Sequence, residues 1–161
     1  MEKEPMTNAG YEKITGELNF LKTQERPETV LALEEARQLG DLKENAEYHA
    51  AKDKLKIIDS QIAELGAVIS KAVIIDPSTL PHTKISFGST MKLLNVDTEE
   101  EFEYSVVGGI ESNLEKGYIS FNSPLAKQLL GKEEGDEVTA TLPGGQKTFE
   151  VLEVFFKELE L

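Results

Sequence analysis

Asp41 and Glu44, two acids three residues apart, are the residues whose type and spacing could do chemistry. On one helical turn they project their oxygens the same way and could share one hard divalent cation. Mg²⁺ takes few protein carboxylates and keeps several waters, so two acids alone bind it weakly and further ligands must come from elsewhere. The chain offers no second acid cluster of that spacing beside an apolar framework. Glu99-Glu100-Glu101 reads as a solvated turn between strands. A self-contained metal enzyme is therefore not expected. The same two acids also have a purely structural reading. Asp-x-x-Glu is close to a capping box, with Asp41 as N-cap of a following helix and Glu44 at N3, both at the positive helix end. Spacing alone favours that cap.

The elements around the pair decide where it stands. Tyr11, Ile14, Leu18 and Leu21 are spaced as the seam of a helix packed on another helix, and Thr7 is a candidate cap for it. Pro27 cannot donate an interior helical hydrogen bond, so a kink or short break is expected there. Val30, Leu33 and Ala36 or Arg37 resume the pattern up to Gly40, a natural stop. The return helix carries Ala51, Leu55, Ile58, Ile62, Leu65, Ile69 and Ala72 at alternating four- and three-residue steps. Two helices of similar length with a short connection must run antiparallel. About 30 residues per helix make a rod of roughly 45 Å, with the acids at its turn. A hairpin end far from any core has no packing use for them.

Asp76-Pro77-Ser78-Thr79-Leu80-Pro81-His82-Thr83 reads as a linker. Beyond it the period becomes strand-like, with candidate strands at 84–96, 101–107, 118–121, 137–142 and 148–156. Pro143-Gly144-Gly145 supplies a hairpin turn. Ser123 suits an N-cap, Pro124 the first helical position, and Gly131 the end of a short helix. The expected fold class is α+β. Residues 1–76 form an antiparallel two-helix coiled-coil hairpin, 77–83 a linker, and 84–161 a small antiparallel β-sheet domain with one short helix.

The 161 residues hold 17 Lys and Arg against 30 Asp and Glu, for a net charge of −13. Nucleic-acid backbone and anionic lipid repel such a chain, so any work on nucleic acid is expected to go through a partner protein. The stretch from Arg37 to Lys56 is net +1 and thus more basic than the rest. Ordinary helix pairing, such as Asp53 with Lys56, accounts for that. There is no Cys, the charged start has no apolar leader, and no apolar run reaches membrane-span length. A soluble cytoplasmic protein is expected.

The stretch from Glu35-Ala36-Arg37 through Gly40-Asp41-Leu42-Lys43-Glu44-Asn45-Ala46-Glu47-Tyr48-His49-Ala50-Ala51 resembles the tip signature of the Gre family of bacterial transcript-cleavage factors. The resemblance extends over nearly the whole chain. It takes in Pro5-Met6-Thr7, Arg26-Pro27-Glu28, Phe87-Gly88, Asn122-Ser123-Pro124-Leu125-Ala126, Gly131-Lys132-Glu133-Glu134 and Pro143-Gly144-Gly145. It implies a coiled coil that enters the secondary channel of bacterial RNA polymerase and an FKBP-like domain that docks on the channel rim. It implies stimulated cleavage of the extruded 3′ end of the nascent RNA in backtracked elongation complexes. Asp41 and Glu44 match the two tip acids that help hold a Mg²⁺ ion shared with the polymerase, and no cofactor of the chain's own is implied. A monomer is expected.

Around the acids, Arg37, Lys52 and Lys54 are candidates to contact RNA phosphates. A solvated helix face explains them equally well. Asn45 is a candidate to orient the attacking water, Tyr48 to stack on a base or to pack across the hairpin. His49 is a candidate ligand or proton shuttle, or an ordinary surface histidine. Ser123 and Pro124 are candidates for rim docking, although a helix start explains them. Glu12, Glu17, Glu25, Glu28, Glu34 and Glu35 crowd the first helix, which suits the family type acting on shorter backtracked ends.

Three rivals remain open at this level. A channel-binding regulator would bind the polymerase without promoting cleavage. A prolyl isomerase needs an aromatic-lined pocket. Here Phe87, Phe102, Tyr104, Tyr118 and Phe121 read as core and cross-strand residues, and there is no Trp. A coiled-coil chaperone or adaptor would tolerate charge reversal at Asp41.

Overall fold

The computed structural model describes residues 3–161, which divide into two compact units, one of residues 11–72 and one of residues 3–10 with 73–161. The first unit is the helical hairpin. Helix α1 (Asn8–Phe20) runs through a π turn (Leu21–Glu25) into α2 (Arg26–Gln38), and α3 (Ala46–Lys71) returns. Asn45 meets Ala36 while Arg26 meets Asp59, so the two arms are antiparallel. Ile14, Leu21, Thr29, Ala36 and Ile58 are buried along the seam.

The break expected at Pro27 is a widened turn instead. Pro27 lies in the first turn of α2, and Arg26 N–H donates to the Leu21 carbonyl five residues back. A π turn admits one extra residue, and a proline cannot use the amide an α turn would require. The buried stripe records that extra residue: Leu21 and Thr29 are eight apart, whereas Ile14 to Leu21 and Thr29 to Ala36 are seven. The widening restores the phase of the seam. Arg26 closes on Asp59 at 2.8 Å, and that hydrogen bond and charge hold its guanidinium above its ordinary pKa. The pairing expected between Asp53 and Lys56 is not among the ion pairs of the described residues.

The second unit is built on a five-stranded sheet in the order β5-β4-β3-β7-β6, from β3 (Thr90–Asn95), β4 (Glu101–Val107), β5 (Tyr118–Ser120), β6 (Glu137–Leu142) and β7 (Gly145–Phe155). It is not wholly antiparallel as expected. Ser105, Val106 and Val107 pair in parallel with Tyr118, Ile119 and Ser120, while the other three pairings are antiparallel. A three-residue strand carries no directional signal; residues 108–117 fold into two 3₁₀ turns that bring the chain round. Helix α4 (Pro124–Leu129) starts on the Ser123 cap, whose Oγ accepts from Ala126 N, as expected. Ala126 and Leu129 join Ile85, Met91, Leu93, Val106, Ile119, Phe149 and Val151 in the core.

The second unit takes in residues 3–10 as well as 73–161. A two-stranded sheet of β1 (Glu4–Thr7) and β2 (Ala72–Ile75), absent from the sequence expectation, ties the start of the chain to the second unit. The buried carboxylate of Glu111 accepts from Thr7 N at 2.9 Å, Gly108 N at 3.0 Å and the Thr7 hydroxyl. Thr7 Oγ1 in turn accepts from Gly10 N, so Thr7 does cap α1. The expected linker is packed rather than free. Pro77 and His82 are buried, and the His82 ring bridges the Pro77 carbonyl at 2.5 Å and Ser89 Oγ at 2.6 Å. Gly88 has φ +84, and any Cβ there would collide with the Pro77 ring.

Candidate functional site

Helix α2 ends where Leu39 N donates to the Ala36 carbonyl and Gly40 takes φ +109, a conformation glycine adopts without a Cβ clash. The next helix does not start on Asp41. Its N-cap is Asn45, with φ −83 and ψ 97, whose Oδ1 accepts from Tyr48 N at 3.0 Å. The capping box favoured by spacing alone thus does not form, and the cap falls four residues later. Asparagine is at least as good a cap as aspartate, and here it is tied at both ends of its amide. Its Nδ2 donates to the Ala36 carbonyl at 2.6 Å, a second hydrogen bond to an acceptor that Leu39 N also uses at the end of α2.

Both acids are therefore left in the connecting loop. Asp41 Oδ1 accepts from Lys43 N at 3.1 Å, which leaves Oδ2 open. Glu44 makes no hydrogen bond or ion pair among the described residues, and both acids are exposed. Leu39, Gly40, Asp41, Glu44, Asn45, Ala46 and Glu47 line one open concavity at the hairpin end. Two carboxylates thus face one space with several oxygens uncommitted. No group of three or more His, Asp or Glu side chains poised to hold a metal exists among the described residues. Two carboxylate side chains suit a hard cation, but they are too few to hold Mg²⁺ without further ligands.

The neighbours separate into engaged and free side chains. Asn45 and His49 are engaged: His49 Nε2 lies 3.0 Å from the Lys43 carbonyl, and its ring meets Tyr48 edge-on at 5.5 Å. Lys52 lies 6.0 Å from the Tyr48 ring, the next turn along α3. Arg37 is half-exposed and reaches Glu34 at 3.5 Å, a loose pair, while Lys54 is exposed. Leu39 and Leu42, passed over in the sequence, are 69% and 44% exposed at the tip. Their signal was an apolar side chain off the helical stripe. In the second unit Pro124 is exposed and the Ser123 hydroxyl is spent on its cap. No helix of the described residues is long and apolar enough to cross a membrane.

Comparison with known proteins covers both units. Residues 4–74 match the family described as transcription elongation factor, N-terminal, and residues 80–155 the one described as transcription elongation factor, GreA/GreB, C-term. A protein named transcription elongation factor GreA from Aliarcobacter butzleri is 74% identical over 161 residues, covering all of both chains. One of the same name from Helicobacter hepaticus is 57% identical over 159 residues, covering 99% of this chain and 98% of its own. Among solved structures, the GreA factor homolog 1 protein of Thermus thermophilus matches at 28% identity with a TM-score of 0.44. That match covers 96% of this chain and 99% of the other.

Proposed function

Since the chain belongs to the GreA/GreB family of transcription elongation factors, we propose that it enters the secondary channel of bacterial RNA polymerase. There it stimulates cleavage of the 3′ end of backtracked nascent RNA. The observation that carries this reading is the freedom of Asp41 and Glu44. The fold caps α3 with Asn45 and leaves both acids on one open concavity. Had they formed the capping box, their oxygens would have been committed to backbone amides.

The chain's own residues bind and position. The 26 residues of α3 make an arm of about 39 Å behind the tip, long enough to reach a recessed centre. Asp41 and Glu44 supply carboxylate oxygens to a Mg²⁺ site completed by the polymerase. A divalent ion there polarises the reacting phosphate and lowers the pKa of a bound water. Tyr48, Lys52, Arg37 and Lys54 are the side chains proposed to meet the extruded RNA, through a stacking face and through phosphate charge. Leu39 and Leu42 add apolar contact at the tip. The second unit is proposed to dock on the polymerase, with Pro124 among its contacts and Ser123 holding the helix start beneath it.

The test uses a polymerase stalled in a backtracked state and follows 3′-end cleavage after the protein is added. Stimulated cleavage that disappears in Asp41→Ala and Glu44→Ala is the expected result. Cleavage left intact by both substitutions removes the mechanism. Binding without any cleavage by the unaltered chain makes it a channel-occupying regulator instead.

A further inference from the structure

We infer that Asn45 and His49 are positioning residues that hold the loop 39–44 in the shape presenting Asp41 and Glu44, an assignment that rests on the cleavage reading above. The loop lies between two helix ends and is tethered at two points. Asn45 Nδ2 donates to the Ala36 carbonyl, binding the loop's exit to the last turn of α2. His49 Nε2 meets the Lys43 carbonyl, drawing the loop's middle onto the first turn of α3.

The chemistry of each partner fixes the roles. A carbonyl only accepts, so His49 carries a proton on Nε2. The Asn45 amide has one usable orientation. Reversed, its NH₂ would face the Tyr48 amide and its oxygen the Ala36 carbonyl. Lys43 is the residue through which the His49 tether reaches the acids, while the Asn45 tether fixes the residue that follows Glu44. The Lys43 N–H is the donor that Asp41 Oδ1 accepts, and the Lys43 carbonyl belongs to the peptide plane leading into Glu44. Turning that plane re-aims Glu44, and any accompanying shift of the Lys43 backbone disturbs the amide that Asp41 accepts, which lies in the preceding peptide plane. One Asn45 N–H and its Oδ1 are thus engaged in holding the backbone, and His49 acts by its hold on the backbone. Residues that orient metal ligands in this way typically change activity or metal affinity about 10- to 100-fold when lost.

The experiment uses the full chain with a backtracked polymerase complex and four variants, His49→Ala, His49→Gln, Asn45→Ser and Asp41→Ala. Three quantities are read: the maximal cleavage rate at saturating protein, the protein concentration giving half that rate, and the Mg²⁺ concentration giving half that rate. His49→Ala is expected to lower the maximal rate about 10-fold and to raise the Mg²⁺ requirement, with the half-saturating protein concentration changed less than about twofold. His49→Gln keeps an amide donor at the same reach and restores most of the rate. Asn45→Ser keeps an N-cap oxygen but loses the Ala36 tether, and follows His49→Ala. Wild-type values for His49→Ala and Asn45→Ser beside an inactive Asp41→Ala overturn the positioning role and leave the cleavage reading standing. An active Asp41→Ala overturns both. A nitrogen NMR spectrum of the free protein gives an independent check. It should show the Nε2–H tautomer of His49 and faster motion of residues 40–44 in His49→Ala. Rapid tautomer exchange with an unchanged loop sinks the assignment whatever the polymerase does.

Discussion

Glu111 and the pair Asp41 and Glu44 are carboxylates in opposite circumstances. Glu111 is 6% exposed and accepts from two backbone amides and a hydroxyl. Burying a charge is tolerable only when such donors replace its water. In the helical unit, Glu44 has no partner and Asp41 only one among the described residues. Water solvates them, and nothing in the fold needs their charge. A saturated acid serves the architecture, whereas an acid the fold leaves open is available to a ligand. Neither class can be told from residue type; the number of donors aimed at the oxygens distinguishes them.

Substitution sharpens the contrast, and the largest effect is expected at the tip. Asp41→Ala should lower stimulated cleavage at least about 100-fold, yet change unfolding free energy by less than about 0.5 kcal/mol, as an exposed position does. Parallel cleavage assays and denaturant melts read both. A large stability loss would place Asp41 with Glu111. The reverse is expected of Glu111→Ala, which leaves two amides and a hydroxyl without an acceptor. Its melt should show a loss of about 2 kcal/mol, with cleavage at saturating protein kept. Gly10→Ala comes next. A Cβ there would collide with Glu111 Oε2, which the Thr7 hydroxyl holds. A loss of about 1–2 kcal/mol by thermal melting is expected. A neutral outcome would show the Glu111 clasp to be loose.

The smallest effect is set by pH. Lys157 is raised above 10.5 first by its hydrogen bond to Glu103, at 2.6 Å, against the lowering effect of burial. A cation with a raised folded pKa adds stability that is complete below its unfolded value and fades as pH climbs through the folded one. Lys157→Met should therefore differ from the parent only below that alkaline range. The difference should stay within about 0.5 kcal/mol, because both partners are half in water. Melts at neutral pH and above pH 11 check the sign.

The hairpin and its tip were legible because helical periodicity is a long-range signal and a two-helix turn has few places to fall. The cap was not, since Asp41 and Asn45 are both good N-caps four residues apart, and only the Ala36 carbonyl opposite Asn45 decides between them. Glu111 sits in a run of polar residues that reads as solvated, and its partner Thr7 is about a hundred residues away in sequence. Pro77, Pro81 and His82 have linker composition, yet the His82 ring finds the Pro77 carbonyl and Ser89 and becomes core. The parallel β5 and the short β1 and β2 are too brief for any period to register. In each of the polar cases the missing information was a partner brought close by the fold, which periodicity cannot contain.

The extra residue in the π turn at Leu21–Glu25 also makes the arm adjustable. Deleting one residue from an ordinary stretch of α2 would swing everything beyond it by about 100° about the helix axis and unseat the seam. Deleting one between 21 and 25 removes the extra residue and keeps both stripes aligned, at the cost only of the one hydrogen bond Pro27 cannot make. The hairpin can thus be shortened there by a single residue without twisting its end, and melts of the two deletions should separate accordingly.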